Sequence, residues 1–336
     1  MDNYYLDNAA TTRPKQEVID AMMPYFEDKW WNPSSLYGES VNVKNDLDKA
    51  RKTVADSINA KPNEIYFTSC GSESNCWAIQ GFVKNVVKKG RTPVIITSKI
   101  EHKSIMSCVD DMELLGATVI RVPVDMCGFI DVQYLDNCLH TLKNRDILVS
   151  IQYANNECGT IQDIKRISEI VDGYGAVFHV DAVQAFGQAD IDVNKLGIDM
   201  MSVSGHKLHT PKGIGFLYKR DDIDVAPLIY GSQMDGIRGG TENVPYIMGL
   251  AKAVDIARCN LDKHCIFSIT DVRNYFIREL EDIGCQLVGP RKYRLPNNVC
   301  IMFPKGYGGE ELLYMFDMSG IKVSTGSACN SHSKEP

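Results

Sequence analysis

Apolar positions along the chain fall into short, β-branched runs separated by longer stretches with helical spacing. The runs are Glu64–Ser69, Val94–Ser98, Thr118–Val122, Ile147–Tyr153, Ala176–Val180, Met200–Ser204 and Gly215–Tyr218. Near-continuous apolar runs of this length suit strands buried on both faces, and their alternation with helices predicts a mostly parallel α/β sheet. Apolar residues spaced three and four apart predict helices over Gln16–Phe26, Val41–Ile58, Ser74–Val87, His102–Leu115, Ile164–Tyr174 and Val244–Asn260. After about Asn260 the pattern changes. A long helix near Phe267–Ile283 leads into short strands at Gln286–Val288 and Asn298–Met302 and a helix at Gly309–Phe316, which reads as a smaller α+β unit.

Composition narrows the class. With 336 residues, 44% hydrophobic and 24% charged, the chain suits one large and one smaller globular domain. A net charge of −7 gives no basic footprint for direct nucleic-acid binding. No apolar run approaches the ~20 residues of a membrane span. The start, Met1-Asp2-Asn3, lacks the basic and apolar regions of a signal peptide. Eleven cysteines, an odd number without C-x-x-C pairs, argue against a disulfide framework and for a reducing cytoplasm. Most of them, such as Cys108, Cys138 and Cys300, read as small core hydrophobes, and no metal-ligand set is assigned.

Four polar segments stand out. Ser202-Val203-Ser204-Gly205-His206-Lys207 puts an amine directly after a small, polar strand end. Such an amine can form a Schiff base with an aldehyde cofactor, although an ordinary surface lysine has the same appearance. Thr68-Ser69-Cys70-Gly71-Ser72-Glu73-Ser74 follows a strand and opens a helix. Its small residues let backbone N–H groups at Gly71 and Ser72 approach a phosphate; a plain N-cap with Glu73 in a capping box is the other reading. Asp181 ends an apolar run, where a carboxylate is costly unless paired, by a ring nitrogen or as a helix N-cap. Ser324-Thr325-Gly326-Ser327-Ala328-Cys329 carries one thiol among small residues, which suits a mobile loop bearing a nucleophile. A free thiol titrates near ~8.5, so attack by Cys329 needs a nearby proton acceptor or positive charge; a structural cysteine is the alternative.

In this order, with His179-Val180-Asp181-Ala182-Val183-Gln184 between them, these segments resemble the cysteine desulfurases of the NifS/IscS type. Those belong to the class V group of fold-type I pyridoxal-phosphate enzymes, and the resemblance runs from Tyr5 to Pro336. It implies a fold-type I transferase: a mostly parallel seven-stranded sheet in a large domain, 16–260, plus a smaller domain of 1–15 and 261–336. It implies pyridoxal 5'-phosphate as cofactor, with Lys207 as the aldehyde-binding lysine and Asp181 opposite the ring nitrogen. By the same resemblance Gly71, Ser72, Ser204 and His206 serve the phosphate, and Gln184 and Asn156 reach the ring oxygen. His102 stacks on the ring and handles protons. Cys329 takes the sulfur of L-cysteine as a persulfide and alanine is released. Arg238-Gly239-Gly240-Thr241-Glu242-Asn243 matches a loop whose threonine completes the neighbouring subunit's phosphate site, so Thr241 implies a homodimer. A sulfur acceptor, such as an iron–sulfur scaffold or a tRNA-thiolation enzyme, is the implied partner. Selenocysteine lyase or another class V lyase or aminotransferase stays open, as does a non-catalytic cofactor-binding or sulfur-acceptor scaffold.

The chain departs from the family pattern twice. Gln233-Met234-Asp235-Gly236 stands where Gln-Glu-Arg-Gly is usual, a charge change in an interface loop. Family members also continue some tens of residues past Ser333-Lys334-Glu335-Pro336 and carry there an arginine for the substrate carboxylate. No arginine follows Cys329, so a shortened small domain would need a substitute such as Arg13 or Arg238.

Overall fold

The computed structural model describes residues 3–326 apart from 262, 305 and 307. Its strands are β1 (Tyr4–Tyr5), β2 (Ile65–Thr68), β3 (Pro93–Ser98), β4 (Thr118–Val122), β5 (Asp146–Gln152) and β6 (Val177–Asp181). They continue with β7 (Met200–Ser204), β8 (Gly215–Lys219), β9 (Gln286–Leu287), β10 (Ile301–Met302) and β11 (Ile321–Lys322). Seven of them form one sheet in the order β2-β8-β7-β6-β5-β3-β4. β8 runs antiparallel to both neighbours, and the other pairings are parallel. The seven predicted apolar runs are thus the seven strands, shifted by a residue or two at their ends.

Side chains alternate along the strands into two cores, one on each face. Val94, Ile96, Val149, Ile151, Phe178 and Val180 belong to one cluster, and Ile95, Leu148, Met200 and Leu217 to the other. Burial on both faces is why these strands read as unbroken apolar runs rather than as an alternation. In the second core Trp77, fully buried on helix Gly71–Lys88, donates its Nε1–H to the carbonyl of Ala226 at 3.1 Å.

Three differences from the periodicity have local causes. The single helix predicted over Gln16–Phe26 is two, Gln16–Met22 and Pro24–Glu27, because Pro24 has no N–H to continue the ladder and instead starts the second helix. A helix at Val132–Leu142 was not predicted, although Asp131 caps it by accepting from Tyr134 N–H at 2.9 Å and Leu135 and Leu139 are buried one turn apart. The short strands β1 and β11 pair in parallel, Tyr4 with Ile321 and Tyr5 with Lys322. That pairing ties the N-terminal segment to the C-terminal part of the chain, and β9 and β10 form a separate antiparallel pair.

Candidate active site

Parallel strands deliver their last residues to one edge of the sheet, where open α/β folds bind ligands. Asp181 is the last residue of β6 and Ser204 the last of β7; Asn156 follows β5, and the loop after β3 leads to His102. Between them lies a cavity of about 220 Å³. Gly71, Ser72, His102, Asn156, Asp181, Gln184, Ser204, His206 and Lys207 are all among the residues that line it.

Lys207 ends a 3₁₀ turn, Gly205–Lys207, and its Nζ donates to the carbonyls of Ala9 and, at 2.7 Å, Ala10. The N-terminal segment therefore holds the amine in place. It also fixes the turn: the His206 carbonyl accepts from Thr12 N–H at 3.0 Å and from Thr12 Oγ1–H at 2.8 Å. His206 Nδ1 lies 3.1 Å from Thr11 Oγ1. Burial, then the charges of Lys207 and Lys212, push the His206 ring down to about 4, so it is neutral at pH 7. Gln184 Nε2 donates to the Ala9 carbonyl at 3.1 Å.

Asp181 is 6% exposed. Its Oδ1 accepts from Val183 N–H at 2.9 Å and its Oδ2 from Asn75 Nδ2–H at 2.7 Å. Burial raises its pKa, while those two donors and the nearby charges of His102 and Lys207 pull the other way. A cationic ring nitrogen in the cavity would be the remaining counter-charge. His102 caps helix Lys103–Leu114, its Nδ1 accepting from Ser104 N–H at 3.1 Å. The preceding Glu101 is buried, accepts from Ser98 Oγ–H at 2.5 Å, and is pushed by burial up to about 8. Gln152 Nε2 and Asn155 Nδ2 both donate to the Ile100 carbonyl, at 2.9 and 3.3 Å, which steadies the loop that presents His102.

At Gly71 the structure shows a capped helix start, with Glu73 reaching one residue past the cap. Cys70 caps helix Gly71–Lys88, and Glu73 reaches back to Ser69 N–H at 2.6 Å. A Cβ on Gly71 would stand 2.7 Å from Val183 Cγ2 and 3.2 Å from Ser204 Cβ, so only glycine lets the helix start sit against the ends of β6 and β7. Thr241 is exposed and does not line the cavity. Cys329 lies outside the described residues; Ser324 and Gly326, which lead to it, do line the cavity. Arg238 is engaged elsewhere, paired with Glu73 at 2.9 Å, and Arg13 is exposed. Sequence reasoning missed Asn75, Ser104, Glu101 and the carbonyls of Ala9 and Ala10. A signal existed for Asn75, a polar residue on the buried stripe of an otherwise apolar helix face.

The family profile described as aminotransferase class-V matches residues 4–335. The chain belongs to this family. Class-V aminotransferases use pyridoxal 5'-phosphate, and that is this chain's cofactor. Among similar class-V proteins, "Cysteine desulfurase IscS" of Dictyoglomus turgidum is 44% identical over 99% of this chain and 83% of its own length. A solved "NIFS-LIKE PROTEIN" superposes with a TM-score of 0.91 at 36% identity, over 96% of this chain and 87% of that one. The structure "SspA in complex with cysteine" gives 0.85 at 32% identity, covering 99% and 92%. The residues present fit the class-V cofactor. The buried hydroxyl of Ser204 has no hydrogen-bond partner among the described residues, and Ser204 lines the cavity beside the helix start at Gly71, where a phosphate could take that donor. The buried carboxylate of Asp181 and the amine of Lys207 share the same cavity.

Proposed function

We propose that this chain is a pyridoxal-phosphate-dependent cysteine desulfurase that moves the sulfur of L-cysteine onto Cys329. The observation that carries this reading is one cavity lined by Lys207, Asp181 and the segment leading to Cys329. Similarity over nearly the whole length to proteins named cysteine desulfurase supports it. When bound, the cofactor supplies an aldehyde for amines and an electron-poor ring that stabilises negative charge on the substrate carbon. Lys207 would be the amine for that aldehyde, and Asp181 would hold a proton on the ring nitrogen. Ser204, His206, Gly71 and Ser72 would hold the phosphate, with Asn156 and Gln184 at the ring oxygen. His102 would lie against the ring and move protons. At Cys329 a sulfur–sulfur bond forms as the carbon–sulfur bond of cysteine breaks, leaving a persulfide on the enzyme and alanine as product. An alanine-and-sulfide assay on the purified chain, run beside the cofactor's absorption spectrum, tests the reading. Cofactor absorbance with no alanine released from cysteine would sink it.

Asp181→Ala removes the counter-charge of the ring nitrogen. We expect weaker cofactor binding and a fall in kcat of about 100-fold or more, the scale of a preorganised charge partner. Unchanged kcat at saturating cofactor would show that Asp181 has a different partner.

The working unit is a homodimer with composite sites, residues 1–15 and 261–336 forming the smaller domain. Support comes from the exposed loop of Thr241 and from large apolar side chains open to solvent, among them Trp30 at 63%, Leu36 at 95% and Tyr230 at 70%. In the loop before Thr241, Met234 and Asp235 adopt left-handed backbone (φ 46° and 58°), a strain that a fixed loop shape must repay. Thr241→Ala should weaken cofactor binding about 10- to 150-fold, the loss of a hydrogen bond to a charged group. Light scattering should give a dimer, and mixing Thr241→Ala with Lys207→Ala subunits should regenerate intact sites. A monomer with full cofactor affinity would rule out sharing between subunits. The nine cysteines whose side chains are described are unpaired, which fits a reducing cytoplasm, and the persulfide is passed to a sulfur-acceptor protein. No helix among the described residues is long and apolar enough to cross a membrane.

A further inference from the structure

Four side chains join two parts of the site in one hydrogen-bonded line. Asn75 is 1% exposed, and its Nδ2 lies 2.7 Å from Asp181 Oδ2 and 3.0 Å from Ser104 Oγ. Ser104 Oγ is 2.8 Å from His102 Nδ1, and Ser104 N–H donates to the same nitrogen at 3.1 Å. Donor counting fixes the direction of the line. Turned over, the amide of Asn75 would set its oxygen against a carboxylate oxygen, acceptor against acceptor. Its two hydrogens are therefore committed, one to Asp181 and one to Ser104. Ser104 Oγ accepts from Asn75 and so has its single hydrogen left for His102 Nδ1. That nitrogen then meets two donors and must present its lone pair, which leaves the proton of neutral His102 on Nε2.

We propose that Asn75 and Ser104 are positioning residues through which the carboxylate of Asp181 sets the tautomer of His102. The consequence for the reaction rests on the desulfurase reading, which assigns His102 and Asp181 to one cofactor; the wiring itself belongs to the chain. A donor-bearing Nε2 lets His102 give a proton from the nitrogen that the helix does not engage. The line also has a second setting. A proton gained at Asp181 Oδ2 would turn the amide oxygen of Asn75 toward it and draw the Ser104 hydrogen to that oxygen, leaving the Ser104 N–H as the one donor to His102 Nδ1. Asn75 Oδ1, buried and without a partner among the described residues, is the acceptor that this setting satisfies.

The test labels the full chain with ¹⁵N-histidine and reads His102 by long-range proton–nitrogen correlation, with and without added pyridoxal phosphate. His102→Gln assigns the signals. We expect a bare Nδ1 and a protonated Nε2. Ser104→Ala should shift the Nδ1 resonance, and Ser104→Thr should restore it. Asn75→Leu, at a residue that bonds Ser104 and Asp181 rather than His102, should shift it in the same direction. Should that variant not fold, the Asp181 carboxyl ¹³C resonance in Ser104→Ala reads the line from its other end and should also move. A wild-type proton on Nδ1 would overturn the proposal. So would a His102 signal that ignores Asn75→Leu, or an Asp181 signal that ignores Ser104→Ala. The cofactor-free spectra keep this outcome separate from the functional reading, because the wiring can be present in a chain that releases no alanine, and absent from one that does.

Discussion

Lys207→Ala should abolish the visible absorbance of the covalently held cofactor and lower alanine formation by at least about 10⁴-fold, since proton transfer alone reaches ~10⁴. The expectation follows from where the amine sits. Its Nζ is held by the carbonyls of Ala9 and Ala10 on a cavity wall that also carries Asp181 and Ser204. Losing one solvated lysine elsewhere would leave both readouts unchanged. Borohydride treatment followed by peptide mapping checks the site directly: cofactor fixed to a Lys207→Ala chain would place the attachment on another lysine. Thermal melting of the variant without cofactor separates this loss from misfolding, because the 3₁₀ turn keeps its backbone bonds to Thr12.

Cys329→Ser should separate two parts of the reaction. Cofactor binding and recognition of cysteine should persist, while sulfur transfer to an acceptor thiol falls below detection. A neutral hydroxyl is a far weaker nucleophile than a thiolate. Four of the other described cysteines are poorly placed to replace it. Cys108 and Cys285 are buried, and Cys158 Sγ is engaged with Asn155 Oδ1 at 3.3 Å and Thr160 Oγ1 at 3.1 Å. Cys70 lines the cavity but caps a helix, its sulfur accepting from Glu73 N–H at 3.5 Å. Full sulfur transfer by Cys329→Ser would move the nucleophile to another cysteine.

Much of this is legible in the amino-acid sequence, for physical reasons that differ from element to element. Strands buried on both faces leave unbroken apolar runs, so the seven strands of the central sheet could be read directly. Asp181 was legible because a lone carboxylate ending such a run needs a partner. The break at Pro24 was hidden by apolar spacing that continues smoothly across it, and it is proline chemistry rather than periodicity that ends the first helix. The carbonyls that hold Lys207 are backbone atoms nearly two hundred residues away and leave no side-chain trace. Asn75 and Ser104 matter through proximity created by folding: Asn75 and Asp181 are 106 positions apart. Strands β1 and β11 have two residues each, too few for an alternating pattern to register.

The most direct measurement is to locate the sulfur. The purified chain, loaded with pyridoxal phosphate and given L-cysteine without an acceptor, is trapped with an alkylating agent, digested and analysed by mass spectrometry. We expect one added sulfur on the peptide containing Cys329, formed in step with alanine and absent from Lys207→Ala. Alanine release with the sulfur on Cys70 or Cys158, or with no protein-bound sulfur at all, would contradict the mechanism.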